Sequence, residues 1–303
     1  MSAPAAGSFL DLECEGARAR IALRGAEPLC WRVGDLDLLW KPDPAVWAET
    51  APILFPIVGW TRDGVRHRGR AYPLGLHGFA RSAEFAVVER AADGARLRLV
   101  DSAATRALYP FAFRLEATYR LTATALAWAL EVENVGEAPM PYAVGLHPGF
   151  AWPLGGSRAE HMFLFETQEN PLAPVIAPGG LFSDQTRPVP LEGRRLRLTP
   201  AAFAREALCF LNIASRRAAY DNGEGLRLSI ELENFPHLAL WARPPAPFLC
   251  IEAWTGHGDP VGFDGEISDK PSMRLLAPGA RARHAARFAL EDVAGALGAG
   301  RAV

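Results

Sequence analysis

The chain has 303 residues, of which 50% are apolar and 22% are charged, and its 32 basic and 34 acidic residues leave a net charge of −2. It is too apolar and too balanced to be disordered, and it lacks the positive surplus with which proteins bind nucleic acid. Its 28 glycines and 25 prolines would interrupt long helices, which excludes coiled coils and helical bundles. A chain of this length can bury a large core.

The clearest periodicity is two, the period of a strand with one buried and one exposed face. Apolar and charged residues alternate most regularly in residues 112–121, 126–133 and 226–233. The dipeptide Asp93-Gly94, which favours a tight hairpin turn, lies between two further predicted strands. In chain order, the predicted strands are residues 18–24, 36–40, 84–90, 95–100, 112–121, 126–133, 196–198, 226–233, 237–241, 248–254, 273–276 and 285–290.

Predicted helices are few and short, at residues 200–206 and 291–297, with a frayed end at 298–303. Because strands run through the chain without alternating with helices, the sequence predicts an all-β fold, a large antiparallel β-sandwich or barrel. Residues 152–190 contain six prolines and predict a long irregular excursion. We expect a single domain over residues 1–303, with its core at about 10–290, rather than two domains joined by a linker.

The four cysteines and the N-terminal residues indicate the cellular compartment of the protein. The four cysteines form no CxxC pair, and a large core needs no disulfides, so free thiols in a reducing compartment are expected. Residues 1–13 lack the basic and apolar regions of a secretory signal, and no stretch approaches the roughly 18 apolar residues of a membrane span. The sequence therefore predicts a soluble, cytoplasmic protein without membrane or nucleic-acid partners.

A carboxylate within an apolar strand is the most informative residue for function. In the predicted strand 248–254, Glu252 shares one side with Cys250 and Trp254, and neither side of the strand is plainly wet. Desolvation would raise the pKa of such a carboxylate and make it a stronger base when ionised. The alternative is a structural glutamate at a strand end, exposed or paired with one of the many arginines.

Two histidines stand where predicted apolar runs meet glycine or proline. His147 precedes a Pro-Gly pair and His77 precedes Gly78, so a strand stops and another group can approach closely. Each histidine alone is typical of a structural residue. With Glu252 they also match a two-histidine, one-glutamate metal site, but no short ligand spacing such as HExxH supports that site. No nucleotide-binding loop is present, and no cofactor or metal is predicted.

Aromatic residues beside these segments favour a sugar ligand. The chain has eight tryptophans, and Phe79, Trp241 and Trp254 lie in or next to the segments that carry the histidines and Glu252. Aromatic faces with a few polar groups suit a sugar, whose ring has a C–H face and hydroxyl edges. The alternative is that these rings fill the core of a sandwich.

Four segments in order carry a resemblance to a known family: APILFPIVG at 51–59, LHGFA at 76–80, HPGF at 147–150 and CIEAW at 250–254. The set resembles the aldose 1-epimerase (galactose mutarotase-like) family, in particular its bacterial LacX-like branch, over roughly residues 10–290. The resemblance implies a large antiparallel β-sandwich and a cofactor-free mutarotase, which interconverts the α and β anomers of a hexose or related aldose.

The resemblance also implies roles for individual residues. Glu252 would be the general base, His147 the general acid, and His77 a sugar ligand near the ring oxygen that supports the acid. Glu206 falls loosely on a family position that holds an aspartate in contact with sugar hydroxyls. The other predicted sugar contacts are Phe79, Trp241, Trp254, Arg62 and Arg81.

One departure from the family pattern leaves alternatives open. The family usually has Gly-Arg after the FPIV run, whereas this chain has Gly59-Trp60, so Arg62 or Arg81 is expected to substitute. The alternatives are a hexose-6-phosphate mutarotase, a non-catalytic carbohydrate-binding protein on the same fold, and a metal hydrolase. A phosphate would need a basic cluster, for which the candidates are Arg62, Arg66, Arg68 and Arg81. No oligomeric state is predicted.

Overall fold

The structure is a computed structural model that describes residues 8–157 and 159–293. Its strands are β1 (Phe9–Cys14), β2 (Ala17–Ala22), β3 (Pro28–Val33), β4 (Leu36–Asp37), β5 (Ile53–Leu54), β6 (Val65–His67), β7 (Arg70–Tyr72), β8 (Ala86–Arg90), β9 (Gly94–Val100), β10 (Phe113–Leu121), β11 (Ala125–Asn134), β12 (Met140–Tyr142), β13 (Gly145–Leu146), β14 (Gly149–Ala151), β15 (Met162–Phe165), β16 (Leu172–Ala177), β17 (Leu181–Pro188), β18 (Leu191–Glu192), β19 (Arg195–Arg197), β20 (Leu208–Phe210), β21 (Arg217–Asp221), β22 (Leu226–Glu233), β23 (His237–Trp241), β24 (Phe248–Trp254), β25 (Arg274–Leu276) and β26 (Arg281–Asp292). One α-helix, α1 (Ala103–Leu108), and short 3₁₀ turns at Ala80–Ser82, Leu154–Gly156, Pro200–Phe203 and Ile267–Asp269 complete the described elements.

Two large antiparallel sheets dominate the described residues. The larger has ten strands in the order β18-β19-β15-β21-β22-β26-β11-β10-β9-β8. The smaller has the order β20-β23-β24-β13-β5, with β14 also paired to β24. Each predicted strand overlaps an observed one, and β22, β23 and β24 match their predictions residue for residue. The predicted all-β, antiparallel architecture is confirmed.

The two sheets enclose a common hydrophobic core and thus form a sandwich. Leu130 of β11 and Phe288 of β26 face this core from the larger sheet, and Leu249 and Ile251 of β24 face it from the smaller one. Phe150 and Phe288 meet across the gap with their ring centroids 5.1 Å apart. Burial of such side chains stabilises the fold by about 25 cal/mol per Å² of apolar surface.

The smaller sheet is covered on its second face as well. Every residue of β24 is buried, which explains why this strand has an almost continuous apolar sequence. Phe182 of the β16–β17 hairpin lies there in one buried cluster with Trp254, and the rings of Trp47 and Phe248 have centroids 5.4 Å apart. A polar side chain on this face is therefore withdrawn from bulk water although it lies outside the main core.

Two predictions of local structure were wrong, and one helix was missed. Residues 152–190 are not irregular: they contain β15 and the β16–β17 hairpin, whose prolines lie near strand ends or at the register shift between Pro174 and Ile176, where the ladder tolerates them. Glu291 and Asp292 belong to β26, because both pair with β22, and not to a helix. The helix α1, which a Ser102–Thr105 capping box starts, was not predicted.

The remaining structural predictions have different outcomes. The predicted helix at 200–206 is a 3₁₀ turn, Pro200–Phe203. The rest of the predicted C-terminal helix and the frayed end, residues 294–303, lie outside the described residues. The extent of a single domain over 1–303 stays a prediction. The four cysteines are free thiols, as expected.

Within residues 8–157 and 159–293, no helix has the length and apolar character needed to span a membrane.

A tight turn after β7 brings His77 to the smaller sheet. His77 and Gly78 both have positive φ, 61° and 71°, a region that L-residues with a Cβ rarely occupy. A Cβ on Gly78 would overlap the carbonyl oxygen of Phe55. This carbonyl accepts the N–H of Phe79 at 3.0 Å, so the turn is fixed against β5.

We predict that Gly78→Ala lowers the free energy of unfolding by about 3 kcal/mol, because left-handed strain and a backbone clash add together. Gly69→Ala is the matched control: its φ is 73° but nothing lies within 4 Å of the added Cβ, so it should cost only about 1–2 kcal/mol. Urea unfolding of both variants measures the difference. Equal losses would show that the contact with Phe55 does not constrain the turn.

Candidate active site

The candidate site lies on the second face of the smaller sheet, opposite the main core. Side chains alternate along β24, so Leu249, Ile251 and Ala253 enter the core while Cys250, Glu252 and Trp254 point the other way. Neighbouring β23 carries Ala239 opposite Glu252 and Trp241 opposite Cys250. The sheet thus supplies a rigid floor with one carboxylate at its centre.

His147 reaches this carboxylate because the strand that carries it is interrupted. Strands β13 and β14 both pair with β24, and His147-Pro148 forms the link between them. The N–H of Ile251 donates to the Pro148 carbonyl at 3.1 Å, so the link stays attached to β24. As a result His147 Nε2 lies 3.1 Å from Oε2 of Glu252.

Two more groups orient this pair. The indole N–H of Trp254 donates to the same Oε2 of Glu252 at 3.1 Å. The ring of His77 stands perpendicular to that of His147, with centroids 5.6 Å apart. Nδ1 of His77 accepts the N–H of Gly59 at 3.0 Å, so in the neutral ring the proton is on Nε2. His77 therefore offers an N–H donor from Nε2.

Burial shifts the pKa values of all three groups toward their neutral forms. Side-chain desolvation raises the pKa of Glu252, which is 2% exposed, well above its usual value. Desolvation lowers the pKa of His147 to about 3, with a further contribution from the cation of Arg81. It also holds the pKa of His77 well below the usual value, aided by His147 and Arg81. The two shifts therefore widen the pH range in which the pair of Glu252 and His147 holds one proton.

Aromatic rings enclose His147. The ring centroid of Trp47 lies 5.2 Å from that of His147, and the two planes are inclined by 32°. Trp241 meets His147 edge-on at 5.9 Å and Trp47 at 5.5 Å. Trp241 was among the predicted sugar contacts, but Trp47 was missed, because it lies in a proline-containing segment without periodicity. Only the tertiary fold brings Trp47 close to His147.

Arg81 is the predicted arginine that lies close to this group. Its guanidinium forms an ion pair with Glu49 at 3.1 Å, and both side chains are partly buried. Arg81 also lowers the pKa of both His77 and His147 electrostatically. Glu49, like Trp47, was not singled out in the sequence.

The structure does not bring the remaining predicted contacts to the pair. Arg62 is exposed beside Asp63, and its backbone N–H donates to the carboxylate of Asp259. The ring of Phe79 packs with Phe55 and Phe113 at the edge of the main core, so we assign it a structural contact. Its orientation follows from the turn at Gly78 and could not be read from local sequence.

Glu206 lies in a surface groove whose lining does not include His147 or Glu252. It is exposed, has a positive φ of 69°, and lines a groove of about 530 Å³ that Trp241 also borders. Its main-chain carbonyl accepts from Arg187 at 3.4 Å. A sugar contact by the Glu206 carboxylate stays a prediction.

Trp60, in the place of the family arginine, contacts the β16–β17 hairpin. A Cβ on Gly180, in the hairpin turn, would overlap the Trp60 ring. Asp259, which forms a buried ion pair with Lys270, also binds the backbone on both sides of Thr61. Its carboxylate accepts the N–H of Arg62 at 2.7 Å, and its own N–H donates to the Trp60 carbonyl at 2.9 Å. The hairpin is thereby attached to the loop that carries Gly59, because the N–H of Phe182 donates to the Asp259 carbonyl at 2.8 Å.

The structure also tests which groups cluster closely enough to hold a metal. In the described part of the chain, the group with suitable ligand atoms is His147, Cys250 and Glu252, whose atoms all lie within 4.8 Å of one another. The third residue of this group is Cys250, whereas the sequence suggested His77 as the third ligand. The sequence signal that could have revealed this group is the alternation along β24, which puts Cys250 and Glu252 on the same face.

Comparison with known proteins identifies the family. The family model described as aldose 1-epimerase matches residues 10–288. The chromosomal LacX protein of Lactococcus lactis subsp. lactis is 31% identical over 258 residues, which cover 80% of this chain and 86% of LacX. The chain therefore belongs to the aldose 1-epimerase family, and the resemblance seen in the sequence is confirmed.

Solved structures show the same fold. A galactose mutarotase-like protein from Lactobacillus casei has a TM-score of 0.87 at 28% identity, and the match covers 93% of this chain and all (100%) of the other. A galactose mutarotase related enzyme from Lactobacillus acidophilus has a TM-score of 0.85 at 25% identity, with 94% and 98% covered. A galactose 1-epimerase from L. acidophilus shares the fold at 15% identity, with a TM-score of 0.71 and 96% and 97% covered.

The tautomer of His77 can be tested without a substrate. Because burial disfavours a charge on His77 and Gly59 donates to its Nδ1, we expect His77 to remain neutral, with its proton on Nε2, at pH 5.5. Two-bond ¹H–¹⁵N correlation spectra report this tautomer directly, and a His77→Asn variant assigns the signal. Imidazolium shifts for His77 at pH 5.5 would contradict the assignment.

Proposed function

We propose that this protein is a mutarotase that interconverts the α and β anomers of a free aldose. The single observation that carries the proposal is the buried 3.1 Å contact between His147 Nε2 and Glu252 Oε2 on an aromatic-lined face. Family membership supports the same reaction class. An acid and a base that share one proton are what reversible ring opening of an aldose requires.

In the proposed reaction, Glu252 removes the proton of the anomeric hydroxyl while protonated His147 gives its proton to the ring oxygen. The C1–O5 bond breaks and the carbonyl forms, so the sugar becomes an open-chain aldehyde. Rotation about C1–C2 presents the other carbonyl face, and reclosure in the reverse sense returns both protons. No proton is gained or lost overall, and no redox change occurs.

Burial supports this step energetically. Before ring opening the reactive form has an ionised Glu252 and a protonated His147, and afterwards both groups are neutral. Since the surroundings raise the pKa of Glu252 and lower that of His147, they favour the neutral pair that ring opening produces, and they lower the population of the ionised pair that begins ring opening by the same factor. Trp254 counteracts part of this effect, because its N–H stabilises the carboxylate form.

His77 and the aromatic rings are assigned to sugar binding. The His77 ring lies beside that of His147, and in this proposal its Nε2–H donates to an oxygen of the sugar near the ring. Trp47 and Trp241, which flank His147, provide apolar faces for C–H groups of the sugar. Trp47 covers the His147 ring, so we expect this indole to move when the sugar enters.

A neutral sugar fits better than a phosphorylated one. Arg81, the arginine that acts on both histidines, is already paired with Glu49. The backbone amides of Arg68 and Gly69 hold the carboxylate of Glu266 instead of a free anion. Comparison of rates with glucose and glucose 6-phosphate by polarimetry distinguishes the two substrate classes, and a higher kcat/KM for the phosphate ester would contradict this choice.

We predict that Glu252→Gln lowers kcat for mutarotation by roughly 10²–10⁴-fold, because the amide keeps the shape but removes the base. Polarimetry of freshly dissolved α-D-glucose measures the rate. Glu137→Gln, at an exposed turn, is the matched control and should keep the wild-type rate. A wild-type mutarotation rate in Glu252→Gln would exclude Glu252 as the general base. Saturable sugar binding without anomer exchange by the wild-type protein would favour a carbohydrate-binding function.

The pKa shifts predict a wide pH optimum. Activity requires one proton on the pair, so it falls in acid only when His147 also binds a proton, near its lowered pKa of about 3 and not near 6.5. It falls in alkali when the proton of the pair is lost, at a value well above the usual pKa of glutamate. A pH profile of kcat/KM, with circular dichroism to verify folding, measures both limbs. An acid limb near pH 6.5 would contradict the proton-sharing pair.

A further inference from the structure

The proposed reaction does not use one buried nucleophile, the thiol of Cys250. Cys250 is fully buried on β24, two residues before Glu252 and on the same face. A ligand atom of Cys250, one of His147 and a carboxylate oxygen of Glu252 all lie within 4.8 Å of one another. No other group in the described part of the chain meets this criterion with three such residues.

We propose that His147, Cys250 and Glu252 form an inhibitory binding site for a thiophilic divalent cation, with Zn²⁺ as the best match. The donor set is an imidazole nitrogen, a thiolate sulfur and a carboxylate oxygen, which are the three ligand types that Zn²⁺ takes in proteins. The inhibitory part rests on the proposed mutarotase function, whereas the binding part does not.

The geometry needs little rearrangement to bind the cation. With bond lengths of ~2.0–2.3 Å, the ligands of a tetrahedral zinc ion are separated by about 3.3–3.8 Å. His147 Nε2 and Glu252 Oε2 are 3.1 Å apart, and the sulfur lies within 4.8 Å of both ligand groups. A shift of less than an ångström at each side chain would therefore suffice, and the fourth position would remain for water.

Charge and hydrogen bonding support the same site. The thiol and carboxyl release their protons to solvent as the ion binds, so the two anionic ligands balance the two positive charges of Zn²⁺. The Trp254 indole N–H, 3.1 Å from Glu252 Oε2, orients the carboxylate as outer hydrogen bonds do at metal sites. A cation there would occupy both proton-transfer groups and block mutarotation.

The chain contains a matched control for this thiol. Cys209 of β20 is also free and buried, and it lies opposite Ala239, which in turn lies opposite Glu252. Cys209 therefore belongs to the same face of the sheet, yet it is not part of the three-residue group. A variant of Cys209 removes a neighbouring buried thiol without removing a proposed ligand.

The binding test uses Co²⁺ as a spectroscopic probe and Zn²⁺ in calorimetry. We expect wild-type protein and Cys209→Ser to show a sulfur-to-cobalt charge-transfer band and to bind one Zn²⁺ per chain. Cys250→Ser and Cys250→Ala should lose the band and bind Zn²⁺ more weakly by at least roughly 10–100-fold, the loss that removal of an outer-shell partner alone causes. Thermal unfolding verifies that each variant is folded. A band that persists in both Cys250 variants, or no band in the wild type, would overturn the proposal.

The inhibition test compares mutarotation with and without Zn²⁺. Zinc should slow wild-type protein and Cys209→Ser, a chelator should restore the rate, and Cys250→Ala should remain active in zinc. Zinc that binds through Cys250 without slowing the reaction would overturn the inhibitory role. If the metal-free wild-type protein shows no mutarotation at all, the proposed function fails, and the cobalt spectrum still decides whether the cation site exists.

Discussion

The buried contact between His147 and Glu252 is the interaction that the rest of the site depends on. Two ionisable groups withdrawn from water are tolerated only when each satisfies the other. Here the larger sheet and the main core hold β24 in place, and the His147-Pro148 link pairs with the same strand on both sides. The scaffold thus keeps a proton donor and a proton acceptor in contact while excluding water that would separate their charges.

This arrangement explains why the smaller sheet is apolar on both faces. One face encloses the core of the sandwich, and the other places Glu252 among Cys250, Trp254 and Ala239. A hydrated second face would leave the pKa of Glu252 near its usual value and would stabilise the charged pair. The apolar surroundings therefore set the protonation of the pair on which the proposed acid–base reaction depends, and they also place a thiol close to both groups.

The sequence predicted the strands with regular alternation because that pattern depends on burial alone. It also predicted the shared face of Cys250, Glu252 and Trp254, since alternation along β24 is a local property. It could not predict that Trp47 covers His147 or that Phe79 turns toward Phe55, because both depend on chain segments distant in sequence. The β16–β17 hairpin was missed for a different reason: its prolines suggested a loop but occupy positions that the ladder tolerates.

The contact between Trp60 and Gly180 has a consequence for how this branch of the family can diverge. Because the indole fills the space that a side chain at position 180 would need, glycine is required at position 180 as long as Trp60 is in place. A smaller side chain at position 60 would remove this clash, although the φ of 73° at Gly180 would still favour glycine in the turn. The order of change is therefore constrained: position 60 must lose its indole before position 180 can gain a side chain.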